Sequence, residues 1–303
     1  MSKKILLVNP WIHDFAAYDF WIKPLGLLYL GGLLRQNNHQ VHLMDCLDPY
    51  HPAMARQGLK KPRRYASGSG KFYRQTIPAP PALKMFSRNY CRYGILPEIF
   101  AAELKKHQDA DLILMTSMMT YWYPGVFEAI RIIKDILPQV PVVLGGKYAT
   151  LCYDHAVKFS GADYIISGAG ERQILDLIEK NFGENHSFMP EVSDLDSHPY
   201  PVFDLIQKIE HLPVITSRGC PYRCSYCASP LFNSKFRRRN PIKVADEMEY
   251  WQNQSGVTHF FLFDFYTEGG TVNENVLAFS NRHQENQSLV VYHNRFGDTA
   301  GWL

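Results

Sequence analysis

The sequence predicts an α/β protein, a doubly wound parallel sheet over residues 1–182 followed by a second strand-and-helix unit over 211–303. Three observations predict it. Short, continuous apolar runs alternate with helical stretches, as in parallel sheets covered on both faces. Several of those helices open on proline, which suits a first helical turn. The apolar runs end in asparagine, serine or glycine, where strand gives way to turn.

Residues 4–10 read as the first buried strand: a basic residue, a continuous apolar run, then Asn9 and Pro10 to stop it. After an aromatic-rich loop, residues 24–35 form a helix whose glycines permit close packing on a sheet. Residues 41–45 are the second strand, so strand, helix and strand make a right-handed crossover if the strands are parallel. Residues 48–96 then break the rhythm with proline, glycine and basic residues, and an insertion of that length is functional or poorly ordered. Within it, Gly68-Ser69-Gly70-Lys71 looks like a phosphate loop but lacks the length and the following Ser or Thr.

The alternation resumes with a helix at 97–106, a strand at 111–117, a helix at 124–137 and a strand at 140–146. A short helix at 155–159, a fifth strand at 162–171 and a helix at 173–181 close the set. Residues 183–210 are polar and punctuated by Pro190, Pro199 and Pro201, as a domain linker would be. A strand at 212–216 leads into a cysteine loop, and the basic stretch 235–239 is a solvated turn or faces an anionic substrate. Asn240-Pro241 caps a helix that Ser255-Gly256 ends, and strands follow at 259–264 and 288–292.

Length and composition narrow the functional classes. The 303 residues suffice for about two domains. A net charge of +3 gives no argument for nucleic acid or a membrane surface. The apolar run at 5–8 is too short for a signal peptide, no run approaches a membrane span, and a cytoplasmic location is the default. Six cysteines in this length are no disulfide framework, and Cys46, Cys91 and Cys152 are scattered as small buried or half-buried residues would be.

The chemistry concentrates in Cys220, Cys224 and Cys227, spaced C-x3-C-x2-C on a loop leaving a strand. Thiolates so placed can converge on a soft metal centre. Structural zinc would want a fourth ligand, and the nearest candidates, His211 and His259, lie away from the loop. A four-iron cluster held by three cysteines leaves one iron open for a small molecule, so the missing ligand favours a cluster. A second site is expected beyond the carboxyl ends of the strands, at Asn9, Ser117, Gly145, Gly146, Gly168 and Gly170. Glycine there serves a tight turn with or without a ligand.

Cys220, Cys224, Tyr226 and Cys227 together resemble the C-x3-C-x-aromatic-C signature of the radical S-adenosylmethionine (SAM) enzymes. The resemblance implies a [4Fe-4S] cluster on the three cysteines, SAM on the open iron, and SAM contacts from Tyr226 and from Asp264 or Glu268. The family's usual Gly-Gly-Glu order is not reproduced near Glu268. Residues 3–182, with Asn9-Pro10, Thr116-Ser117, Gly145-Gly146 and Gly168-Ala169-Gly170-Glu171 in order, resemble the cobalamin-binding domain of B12-dependent radical SAM proteins. That likeness implies cobalamin at the six strand-end residues, a small-molecule substrate, and a reductant such as a flavodoxin or ferredoxin. The D-x-H-x-x-G motif that supplies a lower axial histidine in many cobalamin domains is absent, leaving His13 as a weak candidate better described as a surface residue.

The implied activity is methyl transfer at an unactivated carbon or a phosphinate. A radical SAM cyclase or rearrangement enzyme is the second expectation, and a non-catalytic cobalamin or metal carrier the third. Residues 211–303 hold about half the units of a radical SAM (β/α) barrel, so a truncated barrel is also expected.

Overall fold

The computed structural model describes residues 2–20, 23–233, 235–263, 276–283 and 286–293. In chain order the first part holds β1 (Lys4–Asn9), β2 (Ile12–Asp14), α1 (Leu25–Gln36), β3 (Gln40–Asp45), α2 (Pro52–Arg56), β4 (Arg74–Thr76) and β5 (Cys91–Tyr93). Then come α3 (Pro97–Leu104), β6 (Leu112–Met115), α4 (Tyr123–Ile136), β7 (Val142–Leu144), α5 (Gly146–Leu151), α6 (Tyr153–Phe159), β8 (Tyr164–Ile165) and α7 (Glu171–Phe182). The second part holds β9 (Leu212–Ile215), β10 (Ser217–Arg218), α8 (Ser229–Phe232), β11 (Arg237–Arg238), α9 (Pro241–Ser255), β12 (His259–Phe263), β13 (Val276–His283) and β14 (Asn286–His293).

The central sheet has the order β3-β1-β6-β7-β8, and every pairing in it is parallel. Alternate residues of each strand enter opposite cores. Leu6 and Val8 join Ile113, Met115 and the apolar faces of α3 and α4 on one side. Ile5 and Leu7 join Leu112, Leu114, α1 and α7 on the other. Burial on both faces is why these strands read as continuous apolar runs. The expected fifth strand at 162–171 shrinks to the two residues of β8, because Ser167 onward turns into the glycine loop ahead of α7.

Two parts of the chain depart from the expectation. The insertion 48–96 contributes β4 and β5, which with β2 form an antiparallel sheet, order β2-β5-β4, over the end of β1. Its Gly-Ser-Gly-Lys stretch is no phosphate loop: Gly70 bridges to Asp19 and Arg64, and a side chain at Gly68 would collide with His211. The stretch 183–210 is strapped to α1. Val202 N–H donates to Leu28 O at 3.1 Å, Arg35 pairs with Asp204 at 2.7 Å, and Gly31 and Gly32 have no Cβ to collide with Val202 and Tyr200 O.

Beyond residue 211, β9 pairs in parallel with β12 through α9, the beginning a (β/α) barrel requires. Next, however, β12 pairs antiparallel with β13, and β13 antiparallel with β14. A barrel's strands are all parallel. Strand β14 contains the expected strand at 288–292, placed at the end of a hairpin. Among the described residues no helix is long and apolar enough to cross a membrane.

Candidate functional site

The carboxyl ends of β6, β7 and β8 open into a cavity of about 240 Å3 that also reaches α1 and the end of β9. Gly145, Gly146, Gly168 and Gly170 all line it. Their backbones differ in purpose. Gly146, at φ +89°, has no room for a side chain, since a Cβ would press on Ser117 O and Thr116. Gly145 is extended, and a Cβ there meets nothing closer than Ile166 O at 3.9 Å. A Cβ at Gly168 meets nothing within 4 Å. Gly145 therefore leaves a cradle that a side chain would fill, whereas Gly168, at φ +76°, is required by its left-handed backbone.

Two residues outside the strand-end pattern set the cradle's shape. Thr150 Oγ1 accepts from Gly168 N–H at 3.0 Å and donates to Gly146 O at 2.9 Å, so one hydroxyl ties the two glycine turns together. Gln173 Nε2 donates to Ser167 O at 2.9 Å and Ala169 O at 2.7 Å. Neither residue carries a motif, and only the register of α5 and α7 brings them here.

Asn9 and Ser117 are not in this cavity. Both are buried in a separate crevice at the β1 and β6 ends, which Trp11 and Trp122 help to close. Asn9 Nδ2 donates to Asp45 Oδ1 at 2.7 Å, and Ser117 Oγ donates to Met119 O at 3.0 Å. Burial pushes the Asp45 carboxyl up.

His13 is not a surface histidine. It lies on β2, buried, with Nε2 3.0 Å from Glu128 Oε2. Arg92 Nε holds the same carboxylate at 2.9 Å. Burial alone would raise the Glu128 carboxyl, but hydrogen bonds from His13 and Arg92 bring it down to about 2. His13 is not among the residues that line the strand-end cavity.

The cysteine loop hangs from the antiparallel pair β10 and β11, with Arg218 opposite Arg237. Gly219, at φ +92°, lets Lys235 O lie where a Cβ would be, so this glycine closes the neck of the loop. Cys220 is half-buried, Cys224 and Cys227 are exposed, and Tyr226 is 90% exposed. A turn brings Cys227 N–H to Cys224 O at 3.0 Å, and Ser229 N–H donates to Cys227 Sγ at 3.4 Å. Among the described residues no three His, Cys, Asp or Glu gather tightly enough for a single metal ion. Asp264 and Glu268 lie outside the described residues.

The basic stretch 235–239 is only partly a solvated turn. Arg237 bonds Val192 O, while Arg239 is buried between Asp196, at 2.8 Å, and Glu247. The site's two halves meet at Arg218, whose Nη1 stands 2.5 Å from Glu171 Oε1 at the first position of α7. Burial would raise the Glu171 carboxyl, but His198 and Arg218 outweigh it and hold it well below the usual range.

An α/β sheet with a glycine-lined cavity at its strand ends is the architecture of a cofactor-binding domain, and residues 84–178 match the B12-binding domain family. The relatives that the chain resembles include methyltransferases and a magnesium-protoporphyrin cyclase. An uncharacterized methyltransferase of Pyrococcus horikoshii is 28% identical over 194 residues, 55% of this chain and 42% of that protein. The anaerobic magnesium-protoporphyrin IX monomethyl ester cyclase of Cereibacter sphaeroides is likewise 28% identical over 194 residues, 54% of this chain and 31% of the cyclase. The cytidylyl-2-hydroxyethylphosphonate methyltransferase of Streptomyces wedmorensis is 19% identical over 322 residues, 86% of this chain and 54% of that enzyme. The alignments thus span about half or less of these relatives' own length. A pyridoxal kinase structure from Staphylococcus aureus superposes at a TM-score of 0.23 and 6% identity, covering 98% of this chain and 74% of that chain, which carries no argument.

Proposed function

We propose that the protein is a cobalamin-dependent radical SAM methyltransferase. The observation that carries this is the adjacency of a three-cysteine loop and a glycine-lined cavity within a chain whose cavity-forming segment matches the B12-binding domain family. Cys220, Cys224 and Cys227 would hold the [4Fe-4S] cluster, with Tyr226 beside the iron left open for SAM. Asp264 or Glu268 would take the SAM amino group. Gly145, Gly146, Gly168 and Gly170 would let cobalamin approach backbone, and Asn9 and Ser117 would support the turns behind it. When bound, the cluster supplies an electron for cleavage of the SAM sulfonium, and the corrinoid carries a methyl group. The parallel β9-α9-β12 unit is where the family's barrel would begin.

A second reading, a radical SAM cyclase, is favoured by the equal identity to the cyclase of Cereibacter sphaeroides. Oxygen-free reconstitution with iron, sulfide and hydroxocobalamin, followed by incubation with SAM and a low-potential reductant such as reduced flavodoxin, separates the readings. S-adenosylhomocysteine beside 5′-deoxyadenosine supports methyl transfer; deoxyadenosine alone supports the cyclase. Protein with tightly bound zinc and no inorganic sulfide overturns both. Serine at all three cysteines removes the cluster absorbance and leaves corrinoid binding.

A further inference from the structure

Arg218 stands two residues before Cys220 and ends β10, the strand from which the cysteine loop hangs. Its guanidinium does not face solvent. It leaves that strand to pair with Glu171, the first residue of α7, directly after Gly168-Ala169-Gly170. Both side chains line the glycine cavity and both are mostly buried. Three neighbours fix the pair. His198 Nε2 is 3.7 Å from the same Glu171 oxygen, the Arg218 guanidinium lies 5.2 Å from the centre of the Tyr29 ring, and β11 holds Arg218 opposite Arg237. A single ion pair is therefore shared by the wall of the cavity and the neck of the cysteine loop.

A contact common to two sites couples them whenever a ligand at one shifts it, and the coupling is reciprocal. A ligand filling the cavity meets the Arg218 and Glu171 side chains. A cluster on Cys220 fixes the backbone two residues from Arg218.

We infer that Arg218, through its pair with Glu171, is a positioning residue that makes corrinoid binding and cluster binding mutually reinforcing. The inference rests on the proposed function. Nothing in it requires Arg218 to touch a reacting atom. The pair sits where burial keeps it from being screened by salt, unlike the surface pairs of this chain, so it can transmit a few-fold effect.

The test is the dissociation constant of hydroxocobalamin, measured by anaerobic equilibrium dialysis on the full chain with and without the reconstituted cluster. Using the ratio of the two constants cancels any change that a substitution makes to corrinoid binding itself. The wild-type chain should bind at least about fivefold more tightly with the cluster present, the lower end of ordinary coupling. In Arg218→Met and in Glu171→Gln the ratio should fall to about one, and the double variant should be no lower than either single, as expected of two residues acting as a unit. Arg218→Lys, which keeps the charge in a single-contact pair, should restore most of the ratio; a merely structural role would not follow charge in this way. A wild-type ratio of one, or an unchanged ratio in Arg218→Met, overturns the inference and leaves the proposed function standing. Failure of the wild-type chain to bind hydroxocobalamin in either state overturns the proposed function, and the inference with it.

Discussion

His13 and Glu128 form a closed pair, Nε2 to Oε2 at 3.0 Å, under the small sheet of β2, β5 and β4. Arg92 grips the carboxylate from one side, and Tyr90 donates its hydroxyl to His13 O at 3.2 Å from another. The loop where many cobalamin domains present an axial histidine is here folded down as a strand.

His13 should therefore leave the corrinoid untouched. His13→Phe is expected to bind hydroxocobalamin with an absorbance spectrum identical to that of the wild type. A shift of the corrinoid bands in the variant would place the imidazole on the metal.

Gly145 offers a cleaner test of the cavity than its neighbour. Its backbone is extended, so a side chain brings no left-handed strain. Gly145→Leu should lower hydroxocobalamin affinity at least about tenfold, or 1.4 kcal/mol, while the urea midpoint stays close to that of the wild type. Gly146→Leu should instead unfold more readily, because its Cβ has backbone in the way. Equal corrinoid affinity in Gly145→Leu would remove this cavity as the binding site.

The hydroxyl of Thr150 should matter more than its place in the last turn of a short helix suggests. Thr150→Val keeps the shape and leaves the Gly168 N–H without its acceptor. A lost hydrogen bond of this kind costs about 1 kcal/mol, and the loosened glycine turn should weaken hydroxocobalamin several-fold. Unchanged affinity would make the hydroxyl dispensable.

How much of this was legible beforehand differs by element. The strands at 4–10 and 111–117 announced themselves, since burial on both faces demands an unbroken apolar run. The asparagine cap and proline of α9 marked that helix, and Asn240 Oδ1 does accept from Ile242 N–H at 2.9 Å. Gly145, Gly146, Gly168 and Gly170 were readable because tight turns after strands have few alternatives. Thr150 and Gln173 were not, because a polar residue on a helix looks the same whether it caps a neighbouring turn or faces water. Arg239 was misread for a related reason: charge in a sequence implies solvent, and the partners Asp196 and Glu247 that bury it lie 43 and 8 residues away.

That buried arrangement sets a stability prediction. Glu247 is completely buried, and Arg239 supplies its countercharge while also donating to Ile215 O at 3.2 Å. Arg239→Met should cost about 3–5 kcal/mol in urea unfolding, the usual penalty for stranding a buried charge. Arg239→Met with Glu247→Met should recover much of it. A single variant within 1 kcal/mol of the wild type would show that the pair contributes little.

Acid sensitivity should come first from His211. It is 1% exposed, neither ring nitrogen has a hydrogen-bond partner among the described residues, and burial, with help from Lys23 and Arg64, pushes its pKa down to about 3. The folded state therefore holds it neutral, whereas the unfolded chain protonates it near its ordinary 6.5. Its share of stability is complete above 6.5 and is lost as the pH falls toward 3, at up to about 1.4 kcal/mol per unit. Glu128, depressed to about 2, acts in the lower window between its ordinary 4.5 and 2. His211→Leu should flatten the stability profile between pH 6.5 and 4.5 and leave the lower window in place. A variant with the wild-type slope in the upper window would clear His211 of the effect.

The apolar body on one face of the sheet runs without a break from Leu7 and Val41 through Val202 and Phe203 to Val214 and Trp251. Among the described residues there is no seam at which heating could peel the cysteine-bearing half from the half that matches the B12-binding domain family. The two should melt in one cooperative transition, so a damaged core residue in either half would lower the apparent melting temperature of both.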